Sequence, residues 1–391
     1  MLALMHKLLL SLLCCCVLTT IASAQTPAPP PPFTAEQYLQ AGNQQARERQ
    51  YDKAVDAYKQ AIHLDPNLAA AYHALGSVYV NMGRSSDALV PFQTAERLDP
   101  NNALVHLNLG ITLANLRRGE DALTELNEAK RLSPNDARIY NEQGNILHNL
   151  LGRLNDALAA YTEARRLNPN DPAIHHNIGL TLLQLGMIAD AIEPLQTALR
   201  LSPQYRDARY LLSDVYSRLG RYNEAAESWG KFLEIVPNGP EALTKQAWAY
   251  LYLDEHGREA ATDARRFLAA HGWQTPVSAY MAVIANLGYR EAGQDEEART
   301  ILEEATKQAD TGSWPFAIVR YLKGEISADE LLRLATDNDK KTEAHAYMGL
   351  DLRLKGQTDE ARAHYVWVRA YGNKRFYEYP LAISELKRLG R

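Results

Sequence analysis

Cysteine is absent from this chain outside one run at Cys14, Cys15 and Cys16. Beyond that run, this distribution excludes a disulfide framework, a thiol nucleophile and a Cys-Xaa-Xaa-Cys metal site. The common catalytic motifs are also missing, because the sequence contains no HExxH, GxSxG, Walker A or GxGxxG pattern. The sequence therefore predicts no catalytic, metal or cofactor site, and a protein that is not an enzyme.

The chain also lacks an excess of basic residues. It has 42 Lys and Arg against 47 Asp and Glu, a net charge of −5, and an isoelectric point near 6.1. A nucleic-acid-binding protein needs a basic footprint, so this class is excluded. The adjacent His175 and His176 point about 100° apart on a helix and would chelate one metal poorly, so we interpret them as packing residues.

No apolar run is long enough to span a bilayer. The longest near the N-terminus, Leu8 to Leu18, follows Lys7 and precedes the small residues Ala22-Ser23-Ala24. This order is typical of a secretory signal peptide, so we predict that residues 1–24 are removed after Ala24. Removal would take all three cysteines with it and leave no integral membrane segment.

The export signal predicts a periplasmic or secreted protein. An alternative is a lipoprotein with one of the three cysteines acylated, although Leu12 and Leu13 precede them where a lipobox has a small residue. Either Met1 or Met5 could correspond to the start codon. Residues 25–34 are proline-rich and predict a stiff, extended linker.

One stretch of the chain recurs with a fixed period. The unit Ala69 to Asn102 has 34 residues, and eight of its positions recur one period earlier and one period later. Small residues at two of these positions allow two helices to cross closely, and a proline ends the second helix. In this unit the eight positions hold Tyr72, Leu75, Gly76, Tyr79, Ala88, Phe92, Ala95 and Pro100.

This pattern resembles the tetratricopeptide-repeat (TPR) family. The resemblance implies an all-α fold, a right-handed α-solenoid of antiparallel helix pairs that serves as a binding scaffold. Six strict repeats fill residues 35–239, and the fourth has one extra residue near Leu150-Leu151-Gly152. They begin at Ala35, Ala69, Ala103, Ala137, Pro172 and Arg206.

Beyond Pro237 the spacing is no longer strict. We predict two degenerate repeats in residues 240–312, an insertion in 313–341, and a last repeat with a C-terminal capping helix in 342–391. Within the insertion we expect a proline-containing segment at Trp314-Pro315 and then a helix near Ser327 to Ala335, for which Ser327 with Glu330 predicts a capping box. The capping helix is expected to supply a polar outer face through Glu378, Glu385, Lys387 and Arg388.

The end of the chain carries a second resemblance. Residues 347–386, with the element Phe376-Tyr377-Glu378-Tyr379-Pro380, resemble the C-terminal end of bacterial envelope TPR proteins of the NlpI type. Those proteins are dimeric lipoproteins that dock cell-wall hydrolases and a periplasmic protease. The resemblance implies an envelope role and a homodimer, although this chain has no lipobox and has more repeats.

A TPR stack turns the first helix of each hairpin toward its concave groove. Asn81, Asn115 and Asn149 recur every 34 residues on these helices, and Gln184 continues the row. Since an amide has both donors and an acceptor, the row can bind the backbone of an extended peptide. An alternative is that these amides bond the terminal carbonyls of their own helices.

Further groove candidates combine polar and aromatic side chains. Trp248 and Tyr252 fall at groove-facing positions where the strict repeats end, and aromatic residues are enriched at interface hot spots. Arg47 and Arg218 flank the row of amides. The remaining candidates are Asn43, Ser77, Asn145 and Asp214.

These observations favour a non-enzymatic scaffold of the bacterial cell envelope that binds a peptide or protein segment in its TPR groove. The alternative function is a dimeric assembly factor of envelope complexes that acts through its C-terminal region. Both hypotheses imply a protein partner, whose identity the sequence does not reveal, and neither involves a nucleic acid.

Overall fold

A computed structural model describes residues 33–253 and 255–390 of the chain. Within these two ranges every regular element is a helix, none is a strand, and no helix is long and apolar enough to cross a membrane. The prediction of an all-α solenoid of antiparallel helix pairs is confirmed. The signal peptide and residues 25–32 of the linker lie outside the described residues.

The described residues divide into two compact units, the first ending at Thr112 and the second beginning at Leu113. The first unit contains two complete hairpins and most of a fifth helix, which continues into the second unit. These helices are α1 (Ala35–Arg47), α2 (Tyr51–Leu64), α3 (Ala69–Asn81), α4 (Ser85–Leu98) and α5 (Ala103–Asn115).

The second unit contains the remaining regular repeats and the irregular part. A 3₁₀ turn at Ala189–Ala191 precedes α10. The helices of the regular repeats are α6 (Gly119–Leu132), α7 (Ala137–Asn149), α8 (Leu154–Leu167), α9 (Pro172–Gln184), α10 (Ile192–Leu201), α11 (Arg206–Arg218) and α12 (Tyr222–Ile235). The irregular part comprises α13 (Pro240–Tyr252), α14 (Gly257–His271), α15 (Ser278–Glu291), α16 (Asp295–Gln308), α17 (Trp314–Leu322), α18 (Ala328–Leu334), α19 (Asn338–Leu354), α20 (Thr358–Tyr371) and α21 (Glu378–Leu389).

In four of the regular hairpins, a large buried side chain of the second helix lies against a glycine of the first helix. In α1, a Cβ built on Gly42 would lie 2.5 Å from Cε1 of Tyr58 in α2. In the second unit, a Cβ on Gly144 of α7 would lie 2.5 Å from Cε1 of Tyr161 in α8. Since these distances are far inside van der Waals contact, any larger residue would force the two helices apart.

Prolines end the second helices of the regular repeats, as the sequence predicts. For example, α2 ends at Leu64 just before Pro66, and α12 ends at Ile235 just before Pro237. Proline lacks an N–H donor and disfavours a helical conformation in the residue before it, so the helix stops there.

The insertion contains more helix than the sequence predicts. The proline-containing segment at Trp314-Pro315 begins a nine-residue helix, α17, that the sequence does not predict. Proline is tolerated there because in the first turn it sacrifices no intrahelical hydrogen bond. The helix predicted near Ser327 to Ala335 is present as α18, where the backbone N–H of Glu330 donates to Oγ of Ser327 at 3.2 Å. The next helix, α19, begins at Asn338, four residues before the predicted start of the last repeat.

The capping helix α21 is present, but two of the four residues expected on its outer face are buried. Glu378 is only 3% exposed and Glu385 is fully buried. Oε2 of Glu385 lies 2.8 Å from Nε of Arg353 in α19, and its Oε1 lies 2.5 Å from Nη1 of Arg388. The prediction of a fully polar outer face is therefore wrong, because α21 turns these glutamates toward basic and hydroxyl partners inside the second unit.

Candidate functional site

The predicted row of amides occupies the last position of four first helices. Asn81 ends α3 in the first unit, while Asn115, Asn149 and Gln184 end α5, α7 and α9 in the second unit. All four side chains are exposed. Within the described residues no hydrogen bond from these amides is present, including bonds to terminal carbonyls. Their donors and acceptors are thus satisfied only by solvent and can be offered to a ligand.

Three other groove candidates serve the fold. The hydroxyl of Tyr58 donates to Oδ1 of Asn43 at 2.9 Å, and Tyr161 donates to Oδ1 of Asn145 at 2.8 Å. Oγ of Ser77 donates to the carbonyl of its own helix, that of His73, at 2.9 Å. These bonds fix the two helices of a hairpin to each other or satisfy the side chain locally.

Asn145 also belongs to a cluster of asparagines that the sequence analysis missed. Nδ2 of Asn177, on α9, lies 3.2 Å from Oδ1 of Asn145 and 3.2 Å from Oδ1 of Asn141, both on α7. The cluster joins the first helices of two consecutive repeats. The signal for it was the asparagines near the middle of α7 and α9.

The candidate histidines make packing contacts. Nε2 of His175 lies 2.8 Å from the carbonyl oxygen of Pro169, and the ring of His176 lies 5.1 Å from that of Tyr205. Burial lowers the pKa of His176, so its imidazole is neutral at pH 7. These contacts agree with the packing interpretation of the pair.

The two arginines that flank the row, Arg47 and Arg218, both bond other side chains of the protein. Nη2 of Arg47 donates to Oε1 of Gln44 at 2.9 Å, one turn earlier on α1. Nε of Arg218 lies 2.6 Å from Oδ2 of Asp214, and Oδ1 of the same carboxylate lies 2.7 Å from Nζ of Lys245 on α13. Asp214 is therefore held between two cations of adjacent repeats.

Lys245 was not singled out in the sequence, yet it lies at the centre of this arrangement. Its side chain is only 12% exposed, and its Nζ lies 5.3 Å from the ring centre of Trp229. Burial lowers the pKa of Lys245, but the hydrogen bond and charge of Asp214 outweigh burial and raise it above its ordinary value. Lys245 is therefore charged throughout the physiological range.

The chain's own C-terminal segment covers the two aromatic candidates. Trp248 is 4% exposed and Tyr252 is 5% exposed. The ring of Tyr377 stacks on Trp248 with 5.8 Å between centres and 14° between planes. The hydroxyl of Tyr252 donates to the carbonyl of Tyr377 at 2.5 Å. While α21 is docked, neither side chain is accessible to a partner.

A cavity of about 780 Å³ remains beside this contact, between α11, α13 and residues 374–387. It brings together two candidates predicted from sequence, Asp214 and Arg218, with Lys245 and with the C-terminal run Lys374-Arg375-Phe376-Tyr377. That run is the sequence signal that could have indicated the cavity, since it places two cations beside two aromatic rings.

Comparison with known proteins identifies the repeat. Residues 22–235 match the TPR family described as the cilia and flagella-associated protein 70 C-terminal domain. No curated protein matches the chain.

Several solved TPR structures are similar over about half of the chain. The TPR protein YrrB, described as having an unusual peptide-binding site, is 27% identical, covering 45% of this chain and 90% of its own, with a TM-score of 0.39. PilF of Pseudomonas aeruginosa is 23% identical over 52% of this chain and 91% of its own, with a TM-score of 0.45. A thermophilic TPR protein of Thermus thermophilus is 23% identical over 46% of this chain and 98% of its own, with a TM-score of 0.40.

TPR proteins are protein–protein interaction scaffolds and are generally not catalytic. The family match spans more than half of the 391 residues. The chain therefore belongs to the TPR family described as the cilia and flagella-associated protein 70 C-terminal domain.

Proposed function

We propose that this protein is an exported scaffold of the bacterial cell envelope that holds an extended segment of a partner protein along the first helices of its TPR pairs. The proposal contains no catalytic step, and its recognition chemistry is hydrogen bonding to the backbone of the partner. The dimeric assembly factor considered above stays a prediction.

The observation that carries the proposal is the row of exposed amides without protein partners at Asn81, Asn115, Asn149 and Gln184. An extended peptide presents N–H and C=O groups at regular intervals, and each amide can donate to one and accept from the other. Because all protein segments have the same backbone groups, such a row would bind a partner segment with little dependence on the partner's side chains. Each net hydrogen bond is worth about 1 kcal/mol, so the three amides of the second unit can together support useful binding.

The proposal predicts that replacing all four amides by alanine weakens partner capture. The matched control replaces three Asn and one Gln that are also exposed and lack hydrogen-bond partners within the described residues, but lie on α4 or in turns: Gln93, Asn101, Asn135 and Asn170. Purified chains would be used to capture proteins from an envelope fraction, with quantification by mass spectrometry. We expect the row variant to capture at least about tenfold less of its specific partners, because several net hydrogen bonds are lost. The control variant should capture the same amount as the parent chain. Equal capture by both variants would show that the row does not bind the partner.

The envelope location rests on the signal sequence of residues 1–24. We expect the chain to be recovered from the bacterial periplasm with Gln25 as its first residue, and to remain in the cytoplasm when residues 1–24 are deleted. Fractionation with N-terminal sequencing makes this measurement. Recovery of unprocessed chain in the cytoplasm would contradict the location.

A further inference from the structure

The cavity beside α21 has two walls of different origin. One is built from the repeat helices and includes Ser217, Arg218 and Lys245. The other is the C-terminal segment, which includes Lys374, Arg375 and Lys387. Its volume of about 780 Å³ lies within the range of roughly 300–1,000 Å³ that is usual for ligand sites.

The charges around this cavity are strongly unbalanced. Five basic side chains line it against a single acidic one, Asp214, although the whole chain has a net charge of −5. Asp214 is already engaged by Arg218 and Lys245 at 2.6 and 2.7 Å. The basic character of the cavity is therefore local, and it is opposite in sign to that of the chain as a whole.

Three of the five cations have no ion-pair partner among the described residues. Lys374, Arg375 and Lys387 are exposed, and none of their side chains lies within salt-bridge distance of a described carboxylate. Elsewhere in the second unit, exposed arginines such as Arg131 and Arg166 pair with a glutamate three residues earlier. Unpaired cations grouped around a cavity attract an anionic ligand, because the cavity walls limit screening by solvent.

Aromatic and apolar surface adjoins these charges. Phe376, Tyr377, Tyr379 and Ile383 contribute to the C-terminal wall, and Tyr222 lies opposite. Tyr377 is partly exposed although its ring stacks on Trp248. A small inorganic anion would use the cations but not this surface, whereas a peptide with acidic and aromatic or aliphatic residues would use both.

We propose that this cavity binds an acidic, partly apolar segment of a partner protein, held by Lys374, Arg375 and Lys387 and by the neighbouring aromatic rings. None of the four amides of the row lines this cavity. The cavity depends on the docking of α21, because one wall belongs to that helix and to the residues that lead into it.

Reversing the two adjacent charges tests the site. The full-length processed chain would carry Lys374→Glu and Arg375→Glu, and binding of a fluorescent octapeptide of alternating Glu and Tyr would be measured by anisotropy. The matched control, Lys307→Glu with Arg333→Glu, also changes one exposed Lys and one exposed Arg without ion pairs among the described residues. We expect the dissociation constant to rise about tenfold or more for the cavity variant and to stay unchanged for the control. An unchanged affinity in the cavity variant would overturn the proposal.

Two further measurements distinguish this site from a general anion site and from the row of amides. A peptide with Gln in place of Glu should bind at least about tenfold more weakly. Equal binding of the two peptides would show that the site has no specificity for acidic residues. Inorganic tripolyphosphate should compete poorly, and displacement of the peptide at matched charge would indicate a general anion site instead. The variant lacking the four amides of the row should bind the acidic peptide normally, so failure of the proposed groove function and failure of this site give different results.

Discussion

At the scale of single residues, one turn position shows how the repeat determines backbone conformation. The residue between the two helices of a hairpin has a positive φ in successive repeats, at Arg49, Gly83, Arg117, Gly152 and Gly186. Glycine adopts this left-handed conformation without steric cost, whereas a residue with a Cβ does not. The two arginines therefore hold an unfavourable conformation that the hairpin imposes.

This position gives a pair of opposite predictions within the first unit. Replacing Arg49 (φ 59°) by Gly should raise the free energy of unfolding by about 0.5 to 1 kcal/mol, because the left-handed strain outweighs the entropy cost of glycine. Replacing Gly83 (φ 74°) by Arg should lower it by about 1 kcal/mol, although nothing lies within 4 Å of the new Cβ. Urea denaturation followed by circular dichroism measures both. A change of the same sign in the two variants would contradict the backbone explanation.

At the scale of elements, the capping helix α21 is held by contacts far apart in sequence. Tyr252 and Tyr377 are separated by 125 residues, yet the hydroxyl of the first donates to the carbonyl of the second. Arg353 of α19 lies 2.9 Å from Glu291 of α15 and 2.8 Å from Glu385 of α21, so one buried guanidinium connects three helices. Removing either carboxylate would leave part of this buried charge uncompensated.

Glu378, the first residue of α21, makes the docking of this helix sensitive to pH. Burial, reinforced by the charge of Glu343, raises the pKa of Glu378 to about 8, and Tyr347 donates to its Oε1 at 3.0 Å. The folded state therefore keeps a proton that the unfolded chain releases above its ordinary pKa. The stability contributed by this proton is complete below about pH 4.5 and is lost as the pH rises through about 8.

We expect Glu378→Gln to remove this dependence. The variant should gain melting temperature relative to the parent at about pH 9 and show little or no gain near pH 4, with a difference in unfolding free energy of a few kcal/mol. Thermal unfolding of both chains by circular dichroism across this range makes the measurement. A remaining slope is expected in both, because burial also raises the pKa of Asp263 to about 7 and that of Glu343. A gain independent of pH would rule out the buried proton as its cause.

The elements also show what the sequence could predict. The 34-residue period predicts the helical hairpins and the contact of a glycine in the first helix with an aromatic ring in the second. Gly144 contacts Tyr161 in the same way as Gly42 contacts Tyr58. The period carries no information on contacts made outside it. For that reason spacing places Trp248 and Tyr252 on the first helix α13 but does not predict their cover by α21, nor the unpaired basic cluster around Lys374.

At the scale of the whole molecule, the two proposed recognition surfaces differ in their relation to the repeat. Of the four amides of the row, Asn81 lies in the first unit, and Asn115, Asn149 and Gln184 lie in the second. The basic cavity belongs to the second unit alone, where the irregular helices and α21 depart from the repeat. We propose that the regular repeats bind the backbone of a partner, and that the irregular end binds selectively according to the partner's charge and aromatic content.

The most direct test of the central claim is site-specific photo-crosslinking of the bound partner. A photo-reactive side chain would replace Asn149, at the end of the first helix α7, or Asn170, in the turn after the second helix α8. Both positions are exposed, so they differ in location rather than accessibility. If the first helices hold the partner, irradiation of the envelope complex gives a crosslinked partner from position 149 and none from position 170. Equal crosslinking from both positions, or crosslinking from position 170 alone, would contradict the account.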